Sequence, residues 1–169
     1  MSKNTFFCRM AALVLALAFA VSAVLPGLAA YPMPLQTASE TEAVYLFNAD
    51  TGKTILRQNA DQQQYIASLT KLMTALLLLE SGKDLNGEVT VPTAMTQEFR
   101  DIQNANGTTM GLRIGETVRR IDLLNAMLIV SANDAASVIA YDVGGSVLDF
   151  VRQMNARAQE LGCTGTNFT

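Results

Sequence analysis

The alternation of apolar and polar residues predicts a β-hairpin near the start of the folded part of the chain. Residues 43–47 form a strand-like apolar run, and residues 54–57 form a second one. The residues between them, from Asn48 to Lys53, favour turns and include a glycine. A glycine-containing connection between two such runs is typical of a hairpin. We therefore expect two antiparallel strands here.

A helix with apolar residues on almost every side is predicted from Ala67 to Glu80. Ser81 and Gly82 follow it, and glycine suits the left-handed position just beyond a helix end. Helices that are hydrophobic all round are normally buried. We therefore expect this helix to run through the middle of the domain.

Further along, the pattern predicts a short strand, a glycine-rich loop and three helices. The strand is expected at 89–91, where Pro92 stops it, and the loop at 104–115. The helices are expected at about 118–130, 134–143 and 146–162. At the start of the last helix, the Ser146 hydroxyl is expected to accept a hydrogen bond from the amide near Asp149.

The first thirty residues have the features of a secretory signal peptide. Lys3 and Arg9 give a positively charged start, and an Ala/Leu-rich apolar stretch follows at 11–25. An uncleaved N-terminal anchor is the alternative, although this stretch is short for a bilayer span. We interpret residues 1–30 as the signal peptide, 31–41 as a linker and 42–169 as the domain, so that the working part lies outside the cytoplasmic membrane.

Composition excludes several classes of function. The 169 residues carry a net charge of −3 and no dense block of Lys or Arg, which argues against binding to nucleic acid. The chain has no His, which excludes His-based triads, and its two Cys lie far apart, which argues against a zinc site. We expect no metal and no other cofactor. Without a His to ionise it, Cys163 is expected to be structural rather than a nucleophile.

Ser68 and Lys71 are the first candidates for catalysis. They lie three residues apart at the start of the predicted apolar helix, so that both can occupy one face. A buried lysine has a lowered pKa and can accept a serine proton. The helix N-terminus adds partial positive charge, which disfavours the ammonium form and stabilises an oxyanion. The alternative is an N-capping Ser68 beside a Lys71 that points to solvent.

Ser131 and Asn133 are the second pair of candidates. They lie in the interruption between two predicted helices, where a hydroxyl and an amide can both point into a cleft. The hydroxyl can relay a proton between a lysine and a leaving group, and the amide can hold a substrate carbonyl. The alternative is an ordinary helix cap, with Asp134 favouring the N-terminus of the next helix.

Together these segments closely resemble the low-molecular-mass penicillin-binding proteins, the serine-type D-alanyl-D-alanine carboxypeptidases. The strongest likeness is in the segment 66–76 around Ser68. It continues in segments 111–116, 122–124, 131–136, 150–155, 161–162 and 166–168. The resemblance covers essentially everything from Ala43 to the end, and the combination is far more specific than either short motif.

The resemblance implies an α/β fold of the DD-peptidase/β-lactamase type, with a helical cluster and an antiparallel sheet. It implies that Ser68 attacks the bond between two terminal D-alanines of a peptidoglycan stem peptide, with Lys71 as general base. Ser131 would pass the proton to the departing D-alanine, and Asn133 would bind the peptide. β-Lactams would acylate Ser68 as covalent inhibitors.

The chain departs from the family pattern at its third motif, a basic residue followed by Thr or Ser and then Gly. Lys53-Thr54 is followed by Ile55, and Cys163-Thr164-Gly165 lacks the charge. We therefore expect a truncated chain with an incomplete sheet that is inactive and poorly folded alone. In relatives, a C-terminal β-domain and a membrane-binding helix lie further on, and peripheral membrane association would come from that region.

Two other functions remain open at this stage. A class A-like β-lactamase shares both short motifs but normally has Asp where this chain has Ala132. A non-catalytic penicillin-binding domain with a sensory or structural role would keep the fold and lose turnover. The presence of all four residues, Ser68, Lys71, Ser131 and Asn133, argues against the non-catalytic interpretation.

Overall fold

A β-hairpin opens the part of the protein that the computed structural model describes, which is residues 41–169. Strand β1, Val44–Asn48, pairs antiparallel with β2, Lys53–Gln58, as predicted. Gly52 in the connection has a φ of 68°, which glycine adopts without a steric penalty. The predicted signal peptide and residues 31–40 of the predicted linker lie outside the described residues.

Helix α1, Thr70–Glu80, follows a single 3-10 turn at Ala67–Leu69. The predicted helix is confirmed, but within the described residues it lies against the core on one face only, rather than running through the middle of the domain as predicted. One face is buried, whereas Leu72 and Leu79 on other faces are more than half exposed. The reason is that the neighbouring helices pack only against the face that carries the buried residues.

A second small sheet and a polar helix form the next part of the chain. Strand β3, Glu88–Thr90, pairs antiparallel with β4, Thr117–Arg119. Helix α2, Thr96–Asn104, lies between these strands in sequence, followed by the predicted loop. Strand β3 and the loop agree with the prediction, while α2 and β4 were not predicted.

Three further helices complete the chain and agree with the predicted pattern: α3 (Arg120–Ile129), α4 (Asn133–Gly144) and α5 (Val147–Glu160). The Ser146 hydroxyl caps α5 by accepting a 3.0 Å hydrogen bond from the Asp149 amide, as predicted. No helix within residues 41–169 has the length and apolar character that a membrane span requires.

The most deeply buried helix is α4. Its side chains at 134, 135 and 137–140 are all buried, and it contacts α1, α2, α3 and α5. On α3, Leu123 and Met127 are fully buried in the same core. On α5, Phe150 packs so close to Gly144 that a Cβ there would lie 2.7 Å from the Cβ of Phe150. At the N-terminus of α4, Ala132 and Ala135 are fully buried in this core, which fixes that end next to the candidate residues.

Candidate active site

Ser68 lies in the 3-10 turn that leads into α1, and it is exposed to solvent. The preceding residue, Ala67, has a φ of 46°, an uncommon value for a residue with a Cβ. Such strained backbone persists only where surrounding structure holds it, and it is concentrated at functional sites. The turn thus presents the Ser68 hydroxyl at the surface of the protein.

Lys71 lies in the first turn of α1 and is buried, with 9% of its surface exposed. Its Nζ donates a 3.4 Å hydrogen bond to Oγ of Ser68 and a 2.7 Å bond to Oδ1 of Asn133. Burial lowers the pKa of Lys71 below its ordinary value. The alternative of a solvent-facing lysine is therefore wrong. The N-cap position of α1 is Leu69, without a side-chain cap, so the N-capping alternative for Ser68 is wrong as well.

Ser131 lies between α3 and α4, and its hydroxyl is 2.6 Å from that of Ser68. Its φ of 60° makes it a second non-glycine residue with a left-handed backbone at this site. Ala132, next to it, is fully buried and precedes the first turn of α4. The break between the helices therefore turns the Ser131 side chain towards Ser68.

Asn133 begins α4 and contacts two other parts of the chain. Its Oδ1 accepts the hydrogen bond from Lys71, and its backbone N–H donates a 2.8 Å bond to the carbonyl of Thr108. The contact with Lys71 was not predicted from the sequence, which suggested only that the amide faces a substrate. The fold thus brings all four predicted residues together, with Ser68 and Ser131 in contact across 63 positions of sequence.

Asp134 is a buried acidic residue beside the site whose contacts the sequence did not reveal. Its carboxylate accepts 3.0 Å hydrogen bonds from the backbone N–H groups of Met110, Gly111 and Leu112. The only signal in the sequence was its position directly after Asn133, which we interpreted as favouring the helix N-terminus. Asp134 does lie in the first turn of α4, as predicted, and it also anchors a loop from elsewhere in the chain.

The four side chains form one hydrogen-bonded row in the order Ser131, Ser68, Lys71, Asn133. A hydroxyl next to a buried amine has the arrangement of an activated nucleophile, and the second hydroxyl offers a path for the proton. Cys163, by contrast, is exposed at the C-terminal end and has no part in this row. Within residues 41–169 no group of three His, Cys, Asp or Glu side chains has the arrangement of a metal site.

Comparison with known sequences identifies a matching family and several relatives of this chain. The family described as D-alanyl-D-alanine carboxypeptidase matches residues 31–169. A D-alanyl-D-alanine endopeptidase of Pseudomonas aeruginosa is 35% identical over 156 residues, which cover 92% of this chain and 48% of the relative. The D-alanyl-D-alanine carboxypeptidase DacF of Bacillus subtilis is 32% identical, covering 79% of this chain and 33% of the relative.

Comparison with solved structures also identifies similar proteins. A DD-transpeptidase from Streptomyces is similar with a TM-score of 0.67 and 31% identity, covering 75% of this chain and 51% of the other. Penicillin-binding protein 5 from Haemophilus influenzae has a TM-score of 0.60 and 33% identity, covering 70% and 34%. This chain therefore spans about half, or less, of the length of the proteins it resembles.

Proposed function

This chain belongs to the D-alanyl-D-alanine carboxypeptidase family, and from that premise we propose that the protein removes the terminal D-alanine from peptidoglycan stem peptides. The expected α/β fold of DD-peptidase type is confirmed by the similar solved structures. The observation that carries the proposal is the buried amine of Lys71 within hydrogen-bonding distance of the exposed Ser68 hydroxyl.

In the first step, Oγ of Ser68 attacks the carbonyl carbon of the penultimate D-alanine. The neutral amine of Lys71 accepts the hydroxyl proton, and burial supports this role because it favours the uncharged amine. The tetrahedral intermediate collapses when the C–N bond breaks. Ser131, whose hydroxyl lies 2.6 Å from Oγ of Ser68 and therefore beside the breaking bond, donates its proton to the departing amine and takes a proton from the Lys71 ammonium. The product is an ester on Ser68 and free D-alanine.

In the second step, water attacks the ester carbonyl and Lys71 accepts the water proton. The proton passes to Oγ of Ser68 as the ester bond breaks, which regenerates the hydroxyl and releases the shortened peptide. Ser68 and Lys71 therefore act in both steps, as expected for acyl transfer by a serine nucleophile.

Asn133 is assigned to substrate binding. Its Oδ1 contacts Lys71, so the two N–H donors of its amide are the groups available to a peptide carbonyl. The same contact also holds the Lys71 amine in place. We therefore assign Asn133 two tasks, orientation of the base and recognition of the peptide.

Several properties of the whole protein belong to the proposal because this chain covers only part of its relatives. We infer that the protein is exported by the N-terminal signal peptide and acts at the outer face of the cytoplasmic membrane. A basic-Thr/Ser-Gly motif that binds the substrate carboxylate is expected outside the residues described above. β-Lactams are expected to acylate Ser68 and to be released slowly.

An endopeptidase that cleaves between cross-linked stem peptides is the second candidate, since the relative in Pseudomonas aeruginosa is named an endopeptidase. The acyl-enzyme on Ser68 would be the same, and only the leaving amine would differ. A class A-like β-lactamase fits less well because Ala132 stands in the middle of the second motif.

The test is hydrolysis of two peptides by the protein expressed from its complete reading frame. One peptide ends in D-Ala-D-Ala, and the other is a cross-linked dimer. We expect D-alanine release from the first, no release by Ser68→Ala, and a stable increase in intact mass with penicillin. Cleavage of the dimer alone would favour the endopeptidase, and rapid turnover of penicillin would favour the β-lactamase. Undiminished release by Ser68→Ala would refute the proposal.

A further inference from the structure

The loop that follows α2 contacts the same short segment that carries Ser131 and Asn133. The carbonyl of Thr108 in this loop accepts the backbone hydrogen bond from Asn133. The loop therefore binds the start of α4 at the residue whose side chain reaches Lys71. We refer to residues 107–112 as the clamp loop.

Asp134 fixes the far end of the clamp loop to α4. It is 2% exposed, and its carboxylate receives the N–H groups of Met110, Gly111 and Leu112. An ionised carboxylate suits this position because both of its oxygens are acceptors, and charge-assisted hydrogen bonds are stronger than neutral ones. An asparagine would replace one acceptor with an N–H₂ group that faces backbone donors.

Gly107 leaves room for the Asn133 amide. A Cβ on Gly107 would lie 2.8 Å from Nδ2 of Asn133 and 3.0 Å from Cγ2 of Ile102. Both distances are shorter than the separation at which non-bonded atoms attract, so the amide would have to turn. Turning the amide would move Oδ1 away from Nζ of Lys71, which it now contacts at 2.7 Å.

We propose that Asp134 and Gly107 are positioning residues that act through the clamp loop to hold the Asn133 amide against Lys71. The amine in turn is held at the Ser68 hydroxyl. Neither positioning residue is proposed to touch the substrate. This inference rests on the proposed function, since it assigns to that site two residues that determine its geometry.

The test compares two clamp variants, Gly107→Ala and Asp134→Asn, with two matched controls, Gly87→Ala and Asp142→Asn. A Cβ on Gly87 would lie 2.5 Å from Nη1 of Arg120, so this control also introduces a steric clash. Asp142 is a partly buried carboxylate near the other end of α4, paired with Arg120. Away from the site, Gly87→Ala therefore introduces a steric clash as Gly107→Ala does, and Asp142→Asn removes a carboxylate charge as Asp134→Asn does.

Saturation kinetics with a fluorescent penicillin separate the acylation rate constant from the binding constant in the full-length protein. We expect the clamp variants to lower the acylation rate constant by about 10- to 100-fold, because a displacement of about 1 Å in a site can cost that much. The controls should stay within roughly 2-fold, since distant substitutions without shared partners act independently. Equal rate constants per folded molecule in clamp and control variants would overturn the proposal.

A second measurement keeps the inference separate from the proposed function. Competitive labelling with acetic anhydride gives the reactivity of Lys71 relative to the exposed Lys53. We expect the clamp variants to change this ratio by about 3-fold or more, the effect of half a pKa unit. If the unsubstituted protein is not acylated by penicillin, the proposed function fails, and the labelling ratio still decides the positioning role. An unchanged ratio in both clamp variants would contradict that role.

Discussion

The two ends of α4 differ in how nearby charged groups are paired. Near its C-terminus, Asp142 pairs with the Arg120 guanidinium at 2.8 Å and with the Lys83 ammonium at 3.4 Å. At its N-terminus, Lys71 contacts hydroxyl and amide oxygens, and within residues 41–169 it forms no ion pair. A paired charge is held in its charged form, whereas an unpaired buried amine is easier to neutralise. The ion pair of Asp142 near the C-terminus therefore stabilises the fold, whereas Lys71 at the N-terminus can exchange a proton.

The pKa shifts follow this division. Burial raises the pKa of Asp142, but the hydrogen bonds and charges of Arg120 and Lys83 together outweigh that effect, and the net pKa lies below its ordinary value. The hydrogen bonds that Arg120 donates to Asp142 raise the pKa of Arg120. At Lys71 burial acts alone and lowers the pKa. Helix α4 thus carries one member of a fixed ion pair near its C-terminus, and at its N-terminus Asn133 contacts the titratable base, Lys71 of α1.

The largest expected effect is at the unpaired end. Lys71→Arg keeps a positive charge but cannot supply a neutral amine, because the guanidinium does not deprotonate in proteins. We expect it to lower the rate of D-alanine release by about 1,000-fold, within the range attributed to general acid–base catalysis. The measurement is release from a peptide ending in D-Ala-D-Ala. Release at the parental rate would mean that Lys71 is not the base.

The pH dependence of acylation gives the next largest effect. Because the reaction needs neutral Lys71, the rate should rise about tenfold per pH unit below the pKa of that residue. It should level off below pH 10.5, the ordinary lysine value, because burial lowers the pKa. Stopped-flow measurements with a chromogenic β-lactam would show this profile. A pH-independent rate would contradict a titrating amine at this position.

At the paired end the expected effect is on stability. Asp142→Asn breaks the ion pair with Arg120 and should lower the free energy of unfolding by about 1–3 kcal/mol, between the values for exposed and fully buried pairs. Since the folded pKa of Asp142 is depressed, its contribution is present above pH 3.8 and is lost as pH falls through the folded value. Urea unfolding at neutral and at low pH would test this. A difference that persists in acid would contradict the ion-pair explanation.

The sequence predicted the elements with strong hydrophobic patterns. The β1–β2 hairpin and helices α1, α3, α4 and α5 each have clear periodicity or turn signals, and all five were found. Helix α2 was missed because it is mostly polar, with Phe99 and Ile102 as its only large apolar residues. Strand β4 was missed because its three residues run directly into α3. Short or polar elements depend on their neighbours for stability, which local patterns do not reveal.

The sequence predicted which residues form the candidate site, but it did not predict all of their contacts. Two short motifs identified Ser68, Lys71, Ser131 and Asn133, and the structure brings them into one row. The contact from Lys71 to Asn133 and the clamp loop could not be predicted, because they depend on how residues 107–112 fold across space. Gly107 lies in the predicted loop and Asp134 in the segment 131–136 that resembles the family, but neither position indicates by itself which residues it contacts.

The smallest expected effect is a matched lysine substitution at the paired end. Lys83 shares Asp142 with Arg120, but its Nζ is 3.4 Å away and its side chain is 36% exposed. Lys83→Ala should therefore lower the free energy of unfolding by less than about 1 kcal/mol, as for exposed ion pairs. Because Asp142 keeps Arg120, the C-terminal end of α4 should stay in place and D-alanine release should not change. Measured beside Lys71→Arg, a slowed release in Lys83→Ala would mean that the two ends of α4 are coupled rather than separate.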